Sequence, residues 1–184
     1  MKEKDISISF LQECFSLDQK SGVLSWNYRP IHHHKDEHYH KIWNSRFLGK
    51  RAGWVGKNGY CYVTIDNRHF LAHRIVWALT KGEWPQGVID HVDGNPLNNR
   101  PENLRDVEFP VNMKNLPTPK NNKSGVCGVQ WHEKSGKWMA RIRCDGVVHY
   151  LGIYPTIEEA ACVRKEAEVK FGFHANHGRL TPGN

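Results

Sequence analysis

Residues 90–112 have the sequence Asp90-His91-Val-Asp-Gly-Asn-Pro-Leu-Asn-Asn-Arg-Pro-Glu-Asn103-Leu-Arg-Asp-Val-Glu-Phe-Pro-Val-Asn112, the most specific pattern in the 184-residue chain. Asn103 lies twelve residues after His91, and Asn112 lies nine residues after Asn103. The apolar pair Val88-Ile89 predicts a short strand that ends in Asp90-His91, and the Gly, Asn and Pro residues after it are typical of a turn. We therefore expect the polar pair to lie at a strand end.

The residues after the turn predict a return strand and then a short helix. Asn103 to Val107 alternate polar and apolar side chains, as a half-buried strand does. The segment Glu108-Phe109-Pro110 can open a helix, because proline is tolerated in the first turn. Asn112 and Asn115 would then share one face of that helix, and the strand ends and the helix could converge on one point.

The residue types at this point suit phosphodiester hydrolysis. A hard divalent cation prefers oxygen ligands, which the carboxylate of Asp90 and the amide of Asn112 could supply, with Asn115 as the alternative to Asn112. His91, neutral near pH 7, could take a proton from an attacking water. The competing interpretation is a polar hairpin loop in which His91 is a surface residue.

The order and spacing of these residues resemble the HNH (ββα-metal) nuclease motif, and residues 15–116 resemble phage-type HNH proteins, including Leu71-Ala-His-Arg-Ile-Val-Trp77. The resemblance implies a DNA endonuclease with one divalent metal ion, Mg or Mn, held by Asp90 and Asn112. It implies that His91 is the general base and that Asn103 orients its ring by accepting from the other ring nitrogen. The implied products carry 5′-phosphate and 3′-hydroxyl ends.

Composition favours a polyanionic partner and an ordinary reducing compartment. The formal net charge is +7, with basic flanks on either side of a slightly acidic stretch at residues 90–120. Five scattered cysteines argue against a disulfide framework and against a zinc ribbon. No signal peptide or membrane span is predicted, so we expect a cytoplasmic protein of a phage or bacterial host cell. The basic charge and the HNH resemblance predict double-stranded DNA as its partner.

The residues before residue 88 predict small elements. Residues 6–17 form an element of unsettled type, residues 23–28 a strand, residues 51–71 a β-meander, and residues 72–79 a helix that stops at Gly82. His73 and Arg74 on this helix could contact a phosphate or serve packing. The histidine-rich stretch His32–His40 favours a solvated or DNA-touching loop over a second metal site, because no fixed ligand spacing organises it.

Composition also predicts the domain limits. A nuclease domain over residues 1–116, with its ββα-metal core at about residues 73–116, would be followed by a Pro-interrupted polar linker over residues 117–124. Three strands and one helix follow in residues 125–176, and residues 177–184 form a tail. A capping box, Thr156-Ile-Glu-Glu159, opens the helix, and Ala160, Val163, Ala167 and Phe171 would line its inner face. The predicted fold class is α+β.

The middle strand of this second module has two different faces. Trp138, Ala140 and Ile142 alternate with Lys137, Met139, Arg141 and Arg143, so the apolar face should cover the helix and the basic face should point outward. A twisted sheet with outward arginines can enter a major groove. A small protein-binding domain is the competing interpretation.

The module also resembles the Apetala-2 (ethylene-response-factor) DNA-binding domain, through Gly125-Val-Cys-Gly-Val-Gln-Trp131, the strand over residues 137–143, Tyr150-Leu-Gly-Ile-Tyr154 and Glu158-Glu-Ala-Ala161. The resemblance implies DNA contacts at Gln130, His132, Lys137, Arg141, Arg143 and Tyr150. Plant members have Arg on the first strand where this chain has Cys127 and Gln130, and Trp in place of Tyr150. The plant target sequence therefore does not carry over.

Three functions are compatible with these patterns. The leading hypothesis is a phage- or homing-type DNA endonuclease that its C-terminal module directs to DNA. The alternative is a non-catalytic DNA-binding regulator with a relic nuclease domain, and a protein-interaction scaffold ranks last. A monomer with one site would nick, whereas a symmetric homodimer could cut both strands.

Overall fold

The computed structural model describes residues 5–180, apart from the side chain of Pro110. The described residues form five α-helices and ten β-strands, and the strands pair into small antiparallel sheets, as the predicted α+β class requires. The chain divides into two compact units at the Val107/Glu108 boundary. Residues 1–4 of the predicted nuclease domain and residues 181–184 of the predicted tail lie outside the described residues.

The first unit contains three helices and seven strands. Their bounds are α1 Ile8–Cys14, β1 Phe15–Asp18, β2 Val23–Trp26, α2 Glu37–Phe47, β3 Trp54–Val55, β4 Cys61–Ile65, β5 Arg68–Leu71, α3 Ala72–Lys81, β6 Val88–His91 and β7 Leu104–Val107. Strands β1–β2, β3–β4–β5 and β6–β7 form three separate sheets. Two short 3-10 helices cover Ile31–His33 and Pro101–Asn103.

The core of the first unit lies between α1, α3 and the meander β3–β5. Leu11 of α1, Ile75 and Val76 of α3 and Val63 of β4 are completely buried in it. The predicted meander and the predicted helix stop are both confirmed. Gly82 caps α3 with φ 76°, a left-handed conformation that glycine adopts without steric cost.

The loop expected over the histidine-rich segment is only partly found. Residues 34–36 form bends after the 3-10 turn Ile31–His33, but residues 37–40 begin α2, which Asp36 caps by accepting from the Tyr39 N–H at 2.9 Å. Lys41 and Glu37 form an i,i+4 ion pair of 2.7 Å on the exposed face. Asn44 is buried on the inner face, where its side chain bonds both backbone groups of Arg29. The Asp36 cap and the buried Asn44 side chain therefore stabilise this polar segment as a helix.

The second unit contains α4 Phe109–Met113, β8 Val129–His132, β9 Lys137–Cys144, β10 Val147–Tyr154 and α5 Ile157–Lys170. The three strands form one antiparallel sheet in the order β10-β9-β8, and α5 packs on it. Thr156 caps α5 by accepting from the Glu159 N–H at 3.2 Å, as predicted. The inner side of α5 also holds a buried ion pair of 3.2 Å between Arg164 and Glu168, which helical periodicity alone did not predict.

The polar stretch after α4 makes specific contacts. Thr118 is 3% exposed, its N–H donates to the Arg179 carbonyl at 3.0 Å, and its hydroxyl donates to the Gly178 carbonyl at 2.7 Å. His177, at the start of the predicted tail, is also buried. Part of the predicted linker and part of the predicted tail therefore pack together within the second unit, because their polar groups bond each other instead of water.

No helix among residues 5–180 combines the length and the apolar character needed to cross a membrane.

Candidate active site

The hairpin of β6 and β7 positions the polar pair at its end. The strands pair Val88 with Val107, Asp90 with Arg105 and His91 with Leu104. Asp90 and His91 are 6% and 5% exposed. This burial contradicts the interpretation of His91 as a surface loop residue, since both polar side chains have been withdrawn from water and held in place.

Asp90 is held by the residue directly opposite. Its Oδ2 accepts from Nε of Arg105 at 2.7 Å and from Nη2 at 2.6 Å. Such charge-assisted bonds fix a carboxylate firmly. Sequence analysis missed Arg105, although a hairpin register that pairs Val88 with Val107 places it across from Asp90. The Asp90 carboxylate is a hard oxygen donor, which is the type of ligand that a divalent cation such as Mg prefers.

The ring of His91 is contacted by Asn99, where the resemblance implied Asn103. His91 Nε2 lies 3.0 Å from the Asn99 Oδ1, in a buried pair. An amide oxygen can only accept, so Nε2 carries the proton and Nδ1 is the basic nitrogen. The sequence pattern does not single out Asn99, and the signal that could have found it is its place in the turn, eight residues after His91.

Asn103 holds the loop that follows His91. Its Oδ1 accepts from the Asp93 N–H at 3.0 Å, and its Nδ2 donates to the Asp93 Oδ1 at 2.9 Å and to the Asn98 carbonyl at 2.8 Å. Burial by itself raises the pKa of Asp93, but hydrogen bonds from Asn98, Asn95 and Asn103 hold that pKa below its usual range. Asn103 thus supports the loop that carries Asn99, and its role toward the ring is indirect.

The loop is also held by a close backbone approach. A Cβ at Gly22, in the β1–β2 turn, would lie 2.2 Å from the carbonyl carbon and oxygen of Asn99. Gly22 also has φ 70°, so only glycine suits this position. The turn of the first hairpin therefore helps to fix Asn99.

Two further rings pack around His91. His73 of α3 lies 5.0 Å from it between ring centroids at 87°, and Tyr60 lies 6.2 Å away. Burial, together with the nearby His91 and Arg74, lowers the pKa of His73 to about 3, so its ring is neutral near pH 7. Arg74 donates to the carbonyls of Gly87 and Pro85 at 3.0 and 3.3 Å. Of the two uses predicted for His73 and Arg74, these contacts favour the structural one.

The third motif residue, Asn112, lies on α4 in the second unit, where it is half-buried. The helix ends at Met113, so Asn115 lies beyond it and the predicted common face is not formed. Asn115 is 2% exposed, and its backbone and side-chain oxygens accept from Nη1 of Arg179 at 2.6 and 3.3 Å. These bonds favour Asn112 over Asn115 as the candidate ligand.

Two histidines of the histidine-rich segment meet a carboxylate. Nε2 of His33 and Nε2 of His32 lie 2.8 and 3.4 Å from the same Glu13 oxygen, and the three residues could hold a metal ion. Arg29 Nε, however, donates to Nδ1 of His33 at 3.3 Å. His33 then carries its proton on Nε2 and donates it to Glu13, which satisfies the cluster without a cation.

The sheet of the second unit presents the predicted basic face to solvent. Ala140 and Ile142 are 0% and 1% exposed, whereas Arg141 and Arg143 are exposed. Tyr150 pairs with Arg141 across the strands, and Nη2 of Arg141 donates to the Gln130 Oε1 at 3.2 Å. Among the other predicted contact residues, Lys137 is exposed and His132 is half-buried. These side chains could reach the phosphates or base edges of a duplex.

Comparison with known proteins identifies relatives in viruses. The sequence model of the family described as HNH endonuclease matches residues 70–108, a segment that contains Asp90, His91, Asn99 and Asn103 and ends before Asn112. Protein 3.8 of Escherichia phage T7 is 35% identical over 103 residues, which cover 54% of this chain and 85% of that protein. An uncharacterized HNH endonuclease of Acanthamoeba polyphaga mimivirus is 32% identical over 136 residues, covering 72% of this chain and 70% of the relative. No solved structure matches the chain.

Proposed function

Because the chain belongs to the HNH endonuclease family, we propose that it hydrolyses phosphodiester bonds of double-stranded DNA with His91 as general base. The observation that carries this proposal is the buried Asp90–His91 pair at the end of β6, with the His91 ring fixed against Asn99 at 3.0 Å. A proton-transfer catalyst needs a defined ring orientation and a defined tautomer, and this contact provides both.

The bond changes follow from that tautomer. Nδ1 of His91 takes a proton from a water molecule as the water oxygen bonds to phosphorus. The bond between phosphorus and the 3′ oxygen breaks, and the 3′ oxygen is protonated by solvent. The products are a 5′-phosphate and a 3′-hydroxyl end. Asn99 stabilises the imidazolium formed during the reaction, since its oxygen accepts from Nε2 in either protonation state.

A divalent ion, Mg or Mn, would be held by Asp90, and the HNH resemblance implies Asn112 as a further ligand. When bound, it would offset the charge of the scissile phosphate and of the departing 3′ oxygen. Arg105 keeps the Asp90 carboxylate in one orientation at the end of β6. Asn103 acts indirectly, because its amide donates to the Asn98 carbonyl and so holds the loop that carries Asn99.

The second unit would supply DNA binding in the manner of an Apetala-2-type domain. Its exposed sheet face carries Gln130, Lys137, Arg141, Arg143 and Tyr150, with His132 at the edge. Phosphate contacts from this face would provide most of the affinity, and a few contacts to base edges would provide register. This face also suits the alternative of a DNA-binding regulator, which would bind DNA without cutting it.

Supercoiled plasmid distinguishes the two functions. We expect purified protein to convert it to relaxed or linear DNA in Mg or Mn and to leave it unchanged with chelator. Relaxed circles alone would indicate a nickase, and linear product would indicate cutting of both strands. Plasmid that binds the protein in Mn but stays supercoiled would reject the nuclease and favour the regulator.

The double variant Arg141→Ala/Arg143→Ala tests the sheet face. We expect it to bind duplex DNA about ten- to a hundredfold more weakly, with the slope of log K against log salt reduced by about 1.8. Anisotropy titrations in chelator, over a range of salt concentrations, measure both values. The control Lys120→Ala/Lys170→Ala removes two exposed cations of the same unit outside the sheet. An effect no larger than that of the control would exclude the face from DNA binding.

A further inference from the structure

A large pocket of the first unit has no part in the proposed chemistry. It has a volume of about 720 Å³, and no residue of the hairpin β6–β7 lines it. We call it the Arg29 pocket. Its wall includes Arg29, His33, His34, Lys35, Trp43, Arg51, Trp54 and Asp66. They combine cationic and aromatic side chains with a single carboxylate.

Arg29 is built into this pocket. It is 5% exposed, and its backbone N–H and carbonyl are both bonded by the buried Asn44 side chain at 2.9 and 3.0 Å. Its Nε donates to Nδ1 of His33 at 3.3 Å. Its guanidinium carbon lies 5.0 Å from the ring centre of Trp43 and 5.6 Å from that of Phe10. The guanidinium is therefore fixed in position before any ligand arrives.

One end of this guanidinium lacks a hydrogen bond. Nη2 of Arg29 is buried and has no hydrogen-bond partner among the described residues. Among the described residues, Asp66 forms an ion pair with this guanidinium, with Oδ1 at 3.6 Å from Nη2, too far for a good hydrogen bond. The Asp66 side chain is 62% exposed, and it sits with Asn67 at the tip of the β4–β5 hairpin. A weakly held carboxylate thus covers a strong donor that lacks an acceptor.

The charge of the pocket favours an anion. Arg29, Lys35 and Arg51 oppose only Asp66 among its lining side chains. Burial and the Arg29 charge lower the pKa values of His33 and His34, so both rings are neutral near pH 7. Trp54 stacks on Tyr62 but is 49% exposed at the pocket wall, so part of an aromatic ring is accessible to a base or sugar. A fixed guanidinium, two exposed cations and aromatic walls together suit a phosphate that belongs to a nucleotide.

We propose that the Arg29 pocket binds a phosphate group of a nucleic-acid strand or nucleotide, whose oxygens replace the Asp66 carboxylate beside the Arg29 guanidinium. This inference rests on the proposed function, since a DNA endonuclease meets such groups along its substrate. The pocket would hold the strand outside the scissile bond. Asp66 competes with the phosphate, so its removal strengthens binding, whereas loss of a pocket cation weakens it.

Two variants with opposite expected effects on DNA affinity test the proposal. The measurements are made in chelator, where no cleavage occurs. We expect Asp66→Asn to tighten binding of a 16-bp duplex about two- to fivefold and Arg51→Ala to weaken it by a similar factor. Asparagine tolerates the left-handed conformation of residue 66, which has φ 47°. The control Glu83→Gln removes an exposed carboxylate of the same unit. An Asp66→Asn gain no larger than that of Glu83→Gln would overturn the proposal.

Side-chain NMR identifies the source of the phosphate. The Nε–H of Arg29, bonded to His33, reports on its guanidinium, and we expect its resonance to shift when ligand binds. A shift with the duplex but not with deoxyadenosine monophosphate or inorganic phosphate assigns the pocket to backbone phosphate. A shift with the mononucleotide or with inorganic phosphate as well assigns it to a free phosphate group. No shift with any of the three would refute the site.

The plasmid assay separates this inference from the proposed function. If Asp66→Asn tightens DNA binding while wild-type protein never cuts plasmid, the pocket stands and the nuclease proposal fails. If plasmid is cut while Arg29 shows no response to any probe, the nuclease proposal stands and the pocket fails.

Discussion

Replacing His91 with alanine is expected to lower the rate of strand cleavage by about 10²–10⁴-fold and to leave duplex affinity nearly unchanged. The ring supplies the base for the attacking water, whereas affinity comes mainly from cationic side chains elsewhere. The rate should be measured in a single turnover with the protein in saturating excess over plasmid and with Mn present, and the affinity by anisotropy in chelator.

The controls address the burial of His91. Because its ring is 5% exposed and packs on His73, alanine could weaken the fold, so His91→Gln and a thermal melt should accompany it. His38→Ala removes an exposed histidine of α2 and should cut at the wild-type rate. Cleavage by a folded His91 variant at near the wild-type rate would mean that another group is the base.

Asp90→Ala is expected to reduce cleavage by about 10²–10³-fold at a fixed Mn concentration, because several kcal/mol of charge stabilisation depend on the bound ion. Asp90→Asn keeps the shape but loses the negative charge, so it should need a higher Mn concentration to reach its maximal rate. The measurement is the single-turnover rate as a function of Mn concentration.

Glu83→Gln is the matched control, since it removes one exposed carboxylate from the same unit. Both Asp90 variants remove the ion pair with Arg105, so a melt should confirm that they are folded. The same Mn dependence in Asp90→Asn and in wild-type protein would show that Asp90 does not hold the ion.

Most strands and helix ends around the candidate site can be predicted from residues that are close together in the chain. The apolar pair Val88-Ile89 predicted β6, alternation predicted β7, and turn residues delimited the meander, while Gly82 marked the end of α3. Thr156 predicted the start of α5, and strand alternation predicted the exposed Arg141 and Arg143. Such features depend on residues a few positions apart, so sequence alone can specify them.

The α2 helix was not predicted, although the Asp36 cap and the Glu37–Lys41 pair are local, because the contact that buries its inner face is with a distant partner. Its polar surface resembles a loop, but Asn44 anchors it to the backbone of Arg29, fifteen residues earlier. The same limit applies to Arg164 and Glu168, whose charges are buried only because α5 packs on the sheet. Burial of polar side chains is a tertiary property that periodicity does not encode.

By itself, the sequence determined that Asp90 and His91 end a strand and belong to an HNH endonuclease. Only the tertiary structure decided which asparagine meets the ring. Asn99 reaches His91 because the hairpin loop folds back and Gly22 lets a second backbone pack against it, while Asn103 turns toward Asp93 and Asn98. Spacing along the chain gives candidates, but loop closure and close packing select among chemically identical side chains.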